Sequence, residues 1–277
     1  MYTKKLINKL KDKSYKTRRK ILDIIYKVKS GHIGGSFSAV EILVSLYYHH
    51  MNINADNPTW EERDRFILSK GHAAPLVYVI LADLGYFSEE ELNTFRQVDS
   101  ILQGHPDMKK TPGIEMTSGS LGQGLSIGIG LSLSAKSSNN AFYTYVLMGD
   151  GELNEGQIWE AVMFANKEKL NKLIGIVDYN GVQLDGSCND IMPLNSIKEK
   201  FKAFGWRVLE INGHNFKEIL NALDHANQIT ENPVVIIADT IKGKGVSFME
   251  NDHKWHGQSP SQLQYQEAIK ELEKRGK

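Results

Sequence analysis

Apolar residues recur along this chain with two different periods. Short runs rich in β-branched and aromatic residues read as strands at 65–68, 142–148, 173–178, 206–211 and 234–239. Around them, apolar positions return every three to four residues. That spacing predicts helices at 15–29, 38–51, 72–84, 123–136, 157–170, 196–204, 216–228 and 261–275. Strand and helix alternate, so residues 1–277 are expected to form a single α/β domain: a mostly parallel sheet with helices on both faces. Ser261 is placed to cap the last helix, where Glu271 and Arg275 are spaced as an i, i+4 pair.

Charge changes this picture at two places. Residues 1–30 carry eleven Lys or Arg against only Asp12 and Asp23, a bias that can mark a membrane-surface helix or a transit peptide. Here Ile21, Ile24, Ile25 and Val28 form an apolar stripe, and the segment runs into Ser30-Gly31-His32 without a cleavage-like site, so it is expected to belong to the fold. Met116 to Ala135 carries no charge, but its five Gly and five Ser favour a loop entering a buried helix over a membrane span. Lys plus Arg equals Asp plus Glu, 33 each, so no nucleic-acid or membrane partner is expected. Cys188 is the only cysteine, which excludes an intrachain disulfide and a cysteine zinc cluster and suits a cytoplasmic protein.

The chemistry concentrates between residues 149 and 180. Gly149-Asp150-Gly151 ends one predicted strand, Asn180 lies just past the next, and a helix separates them. If those strands are parallel, Asp150 and Asn180 leave the same edge of the sheet, where open α/β folds bind ligands. A carboxylate and an amide oxygen suit Mg²⁺, and Asp150 is expected to be an exposed ligand. Gly149 and Gly151 are expected to turn the backbone sharply and let it approach a phosphate. The same residues also read as an ordinary turn, with Asn180-Gly181 a common turn pair. A competing fingerprint, Gly122-Gln123-Gly124 with Gly128, resembles a variant dinucleotide-binding loop, but 113–121 lacks the strand that reading requires.

Six segments occur in an order that resembles the transketolases: Ser30-Gly-His-Ile-Gly-Gly-Ser36, Asp64-Arg-Phe-Ile-Leu-Ser-Lys-Gly-His72, Gly104-His-Pro106, Gly119-Ser-Leu-Gly-Gln-Gly124, Gly149-Asp-Gly-Glu-Leu-Asn-Glu-Gly156 and Lys254-Trp-His-Gly257. The resemblance runs from about residue 15 to 260 and matches the amino-terminal domain of that family. It implies a thiamine-diphosphate-binding fold, with thiamine diphosphate held through Mg²⁺ by Asp150, Asn180 and the backbone carbonyl of Val182. Two diphosphate oxygens and a water would complete the coordination. It also implies that His72 and Gly151 meet the diphosphate, that Gly119, Ser120 and Leu121 line the cofactor pocket with Leu121 against a ring, and that Lys242 reaches the cofactor. Glu155 resembles a buried acid of the subunit interface beside the cofactor. His32, His105 and His256 match histidines that contact substrate hydroxyls and phosphate and assist proton transfer, work that suits an imidazole. His49, His50, His214 and His225 are read as structural. The chain departs from the family at Tyr179, where a second Asn is common, and at Gly35, where many relatives carry a side chain near the cofactor.

The activity so implied is transfer of a two-carbon ketol unit from a ketose phosphate to an aldose phosphate, within pentose phosphate metabolism. In the family a glutamate from a second domain of a partner polypeptide activates the cofactor, and only one short helix follows Gly257. The pyrimidine-binding and C-terminal domains are therefore expected on a separately encoded C-terminal transketolase subunit, in an A₂B₂ heterotetramer. Three alternatives stay open. One is a specialised transketolase for an unusual pentulose or branched-sugar phosphate. Another is the alpha subunit of a 2-oxoacid dehydrogenase, which shares the 149–180 site but not the histidine motifs at 30–36 and 64–72. The last is a non-catalytic thiamine-diphosphate-binding module. The donor and acceptor sugars are not legible in these residues.

Overall fold

The computed structural model describes residues 2–275. Five strands form one sheet: β1 Arg65–Leu68, β2 Thr144–Gly149, β3 Leu173–Tyr179, β4 Arg207–Asn212 and β5 Val234–Asp239, in the order β1-β2-β3-β5-β4. Every pairing among them is parallel. Such pairing needs crossovers, and the helices supply them: α1 Lys4–Val28, α2 Ile33–Ser38, α3 Val40–Ser45, α4 Ala74–Asp83, α5 Gln123–Ser137, α6 Gly156–Lys167, α7 Cys188–Ile191, α8 Ile197–Ala203, α9 Phe216–Gln228 and α10 Gln262–Arg275.

The period-two alternation of the strands sorts side chains into two cores. Tyr145, Leu147, Ile174 and Ile176 join the larger one, with residues of α1, α3, α4 and α9. Val146, Met148, Leu173 and Val177 join the other, with residues of α5, α6 and α8. Helices therefore cover both faces, which is why the central strands are apolar throughout. Edge strand β4 is only partly covered: its residues are exposed or half-buried, and none is fully buried.

Several boundaries differ from those the sequence spacing predicts. The first helix begins at Lys4 rather than residue 15, because Thr3 caps it by accepting from the Leu6 amide at 3.2 Å. Its basic residues are tied into the domain: Arg18 pairs with Glu41, Lys13 with Asp83 and Lys20 with Glu89. The expected 38–51 helix begins at Val40 as α3 and ends in a π-helical turn at Leu46–His50; Ser38 instead closes α2, and Ala39 between them leaves helical geometry at φ −99° and ψ 9°. The uncharged 116–135 stretch is a loop followed by α5, but that helix is not wholly buried. Gly124, Leu125, Gly128 and Ile129 face the sheet, while Ser126, Ile127 and Gly130 are exposed. Among the described residues no helix is long and apolar enough to cross a membrane. The expected Glu271–Arg275 pair lies outside the described side chains; Glu271 accepts from the amide and hydroxyl of Ser247 at 2.7 and 2.6 Å.

Leu22 on α1 is fully buried in the larger core. Leu22→Ala removes its contacts and leaves a cavity, so it should lower unfolding free energy by about 2–5 kcal/mol in a denaturant titration of the isolated chain.

Candidate active site

Beyond the carboxyl ends of the strands, the turns after β1, β2, β3 and β5 enclose a cavity of about 220 Å³. Parallel register sets Gly149 opposite Asp178, so the chain leaves β2 and β3 at nearly the same level. Asp150 bridges the two exits: its Oδ2 accepts from the Gly181 amide at 2.5 Å and its Oδ1 from the Gly151 amide at 2.8 Å. Asn180 Oδ1 accepts from the Val182 amide at 3.2 Å. Lys242, from the turn after β5, donates its Nζ to the carbonyls of Val182 at 2.8 Å and Gln183 at 3.1 Å, so this backbone already faces a positive charge. Asp150, Asn180 and Val182 all line the cavity.

One expectation about this turn needs correction. Asp150 is not an exposed ligand but 3% exposed. Burial, and then the nearby Asp178 carboxylate, raise its carboxyl above the usual range against the pull of its two backbone donors. Gly149 and Gly151 are not in the left-handed region; the glycine that needs it here is Gly181, at φ +72°. Gly151 leaves room for the Gln183 side chain, whose Cγ would lie 3.0 Å from a Cβ there and would have to give way. The Gln183 amide nitrogen beside it is buried without a hydrogen-bond partner.

The histidines from four separate motifs converge. The His32 ring centroid lies 5.3 Å from His72, 5.2 Å from His256 and 6.4 Å from His105, and those of His72 and His256 are 5.0 Å apart. His72, Leu121, Lys242 and His256 line the cavity. His256 Nδ1 accepts from Lys242 Nζ at 3.0 Å, while His32 Nδ1 is buried without a partner. Burial and neighbouring cations hold all four rings neutral. His32 is lowered to about 4 by burial and then Arg96, His256 to about 3 by burial and then Lys242, and His72 well below its ordinary value by burial and then Lys70. His105, the most open, is lowered by partial burial and then Arg96. Lys242 itself falls to about 8 through burial and the charge of Lys70.

Other expected site residues fall outside the cavity. Gly119 lies against His105, a Cβ there coming within 3.4 Å of the ring, and Ser120 is exposed beside it. Glu155 is exposed at the start of α6 and does not line the cavity; the glutamate that does is Glu152. Glu152 is buried and accepts from the amides of Gly122 at 2.8 Å and Gly149 at 3.0 Å and from the Ser69 hydroxyl, tying three motifs together. Lys70 forms a buried ion pair with Asp178 and donates to the Gly35 carbonyl at 2.7 Å. Lys70 and Glu152 escape sequence reading although both sit inside its motifs. Asp178, at the end of an apolar strand, carries the plainer signal of a charge where burial is expected. Gly35 lines the cavity, and a Cβ there would lie 3.2 Å from His72 Nε2. The segment before Gly122 is a loop, so the dinucleotide reading lacks its strand.

The family model for the transketolase thiamine diphosphate binding domain matches residues 11–275. The chain belongs to the transketolase family. It is 42% identical over 269 residues to a subunit of the apulose-4-phosphate transketolase of Phocaeicola vulgatus, covering 97% of this chain and 95% of that one. It is 44% identical to the 6-deoxy-6-sulfo-D-fructose transketolase subunit SqwG of a Clostridium species, over 94% of each chain. Human transketolase is 35% identical over 95% of this chain but only 42% of its own length. The crystal structure of Campylobacter jejuni transketolase superposes with a TM-score of 0.88 at 36% identity, covering 97% of this chain and 43% of that one.

The lowered pKa of His32 has a consequence for transketolase stability at acid pH. The unfolded imidazole takes up a proton near pH 6.5 and the folded one only near 4, so its contribution is complete above 6.5 and is lost as pH falls toward 4. His32→Asn removes roughly 2 kcal/mol of this dependence after allowance for partial exposure. Denaturant titrations of both proteins between pH 4 and 7 should show the shallower decline in the variant.

Proposed function

We propose that this chain is the amino-terminal subunit of a two-polypeptide transketolase. It moves a two-carbon ketol unit from a ketose phosphate to an aldose phosphate, using thiamine diphosphate and Mg²⁺. The observation that carries the reading is the meeting of Asp150, Asn180 and the Val182 carbonyl on one cavity with His72 and His256, next to His32 and His105. A carboxylate, an amide oxygen and a backbone carbonyl suit a hard cation that shares a diphosphate. The unpartnered Gln183 amide and the Lys242 ammonium suit a ligand rich in anionic oxygens.

On this reading Asp150, Asn180 and Val182 hold Mg²⁺, Gly151 and His72 meet the diphosphate, and Leu121 packs on a ring. Lys242 balances the charge. Bound thiamine diphosphate supplies the electron sink for breaking and making the carbon–carbon bond. His32, His105 and His256 present neutral imidazoles, each able to accept a proton or to hold a substrate hydroxyl. Gly119 and Ser120 shape the entry beside His105, and Glu155 is left for an interface.

Residues 1–277 are proposed as a single diphosphate-binding domain, with the pyrimidine-binding and C-terminal domains on a separately encoded partner in an A₂B₂ assembly. Support comes from length: relatives named as subunits are matched over 94–95% of their chains, human transketolase over 42%. We place the assembly in the cytoplasm, which a lone buried free thiol suits. A specialised sugar phosphate is the second reading. It is favoured by 42–44% identity to relatives named for apulose 4-phosphate and 6-deoxy-6-sulfo-D-fructose, against 35% to human transketolase.

Mixing the chain with its partner subunit, thiamine diphosphate and Mg²⁺ should give ketol transfer in a coupled assay that neither chain shows alone. Full activity of the isolated chain would overturn the two-polypeptide reading. Asp150→Asn keeps the shape and one acceptor but loses the charge. Calorimetry should show Mg²⁺-dependent thiamine diphosphate binding weakened at least tenfold, with the thermal midpoint of the ligand-free chain lowered by only a few degrees, because one of the Gly151 and Gly181 amides loses its acceptor.

A further inference from the structure

Arg96 stands beside the histidine cluster at a position that is costly in two ways. Its backbone lies at φ +60°, in the left-handed region that residues other than glycine rarely enter, and its amide donates to the Leu102 carbonyl at 2.8 Å. Its guanidinium is half-buried without a carboxylate: Arg18, Arg19, Arg63 and Arg65 each pair with one, Arg96 with none among the described residues. Burial accordingly holds it below its ordinary range. Strain and an uncompensated charge at one residue point to a use for that charge.

The side chain reaches two of the turns that carry the site's imidazoles. Nη1 donates to Ser30 Oγ at 2.9 Å, two residues before His32. The guanidinium also lies against Gly104, one residue before His105, where a Cβ would come within 3.1 Å of Cζ. His32 and His105, 6.4 Å apart between ring centroids, therefore have their turns joined by one side chain. Arg96 is also the charge that acts most strongly on both rings, following burial among the causes that keep each neutral. Besides Arg96, His105 faces His32, and His32 faces His105, Lys242 and the rings of His72 and His256. Lys242 falls to about 8, whereas an arginine stays charged, so Arg96 supplies the part of this field that does not titrate.

We propose that Arg96 is a positioning residue of this active site: it joins the turn at 30–32 to the turn at 104–105 and sets a permanent positive charge beside both imidazoles. The assignment rests on the transketolase reading for what those imidazoles do, accepting a proton or holding a substrate hydroxyl. Arg96 acts through His32 and His105 and does not line the cofactor cavity, so replacing it leaves the residues of that cavity in place. An imidazole that stays unprotonated is ready as a base or an acceptor. Without Arg96 a larger share of His105 carries a proton and loses that capacity.

NMR titration of the imidazole signals of the full chain tests the charge, with the His105 signal assigned by its loss in His105→Gln. In Arg96→Met, His105 should titrate about half a pH unit or more above its position in the unsubstituted chain, and in Arg96→Lys, which keeps the charge, the rise should be smaller. If Arg96→Met does not fold, Arg96→Gln, uncharged but still able to donate to Ser30, reads the same shift. Reconstitution with the partner subunit tests the joint between the turns. There kcat/KM for ketol transfer should fall about tenfold in Arg96→Met and recover in part in Arg96→Lys, with thiamine diphosphate affinity by calorimetry unchanged in both. An unmoved His105 titration in the uncharged variant overturns the proposal, and so does transfer by that variant at the full rate. Absence of transfer by the unsubstituted pair would count against the two-polypeptide reading, and the titration would then decide the role of Arg96 by itself.

Discussion

Asp178 is fully buried at the end of β3, where an ionised carboxylate is costly unless the surrounding groups compensate it. Burial opposes ionisation, but the Lys70 ammonium and hydrogen bonds from Ser38 and Thr240 outweigh it and hold the carboxyl below its usual range. Those partners come from α2, the turn after β1 and the turn after β5, and Asn180 Nδ2 adds a fourth contact at 3.3 Å. One buried charge therefore fixes the relative positions of the segments that line the cavity. Removing Lys70 would leave the Asp178 charge buried and uncompensated, at a cost of about 3–5 kcal/mol.

Around that anchor the site is arranged by sign of charge. Lys70 and Lys242 sit beside imidazoles that burial already keeps neutral, and each cation drives them further from protonation. The oxygen donors Asp150, Asn180 and Val182 lie on the cavity with Lys242 against the Val182 carbonyl. A pocket built this way sets two lysines and unprotonated imidazoles against a row of oxygen acceptors, while its own ion pair stays buried.

Much of the fold is legible because parallel β/α units write their periods into the chain. The strands at 65–68 and 234–239 and the helix at 216–228 fall where spacing puts them. The breaks are not legible. Ala39 separates α2 from α3, both buried throughout, so no change from buried to exposed positions marks the break in the sequence. The start of α1 escapes the spacing because a cap at Thr3, not an apolar stripe, sets it. At the site, Asp150, Asn180 and the histidines stand out by residue type and motif. Glu152 does not, since its neighbour Asp150 and the more exposed Glu155 look equally suited to a ligand or an interface.

The sequence by itself determined the class of fold, the transketolase family and the residue types that the cavity presents, because motif spacing and hydrophobic period are properties of the chain alone. Only the tertiary structure decided which acid is buried, which lysine finds a carboxylate and how close four histidines from four motifs come. Those outcomes depend on desolvation and on contacts between residues 23 to 140 positions apart, such as Arg18 with Glu41 and Ser38 with Asp178. A linear pattern carries the identity of such partners but not their distance, and at a buried charge the distance determines the energy.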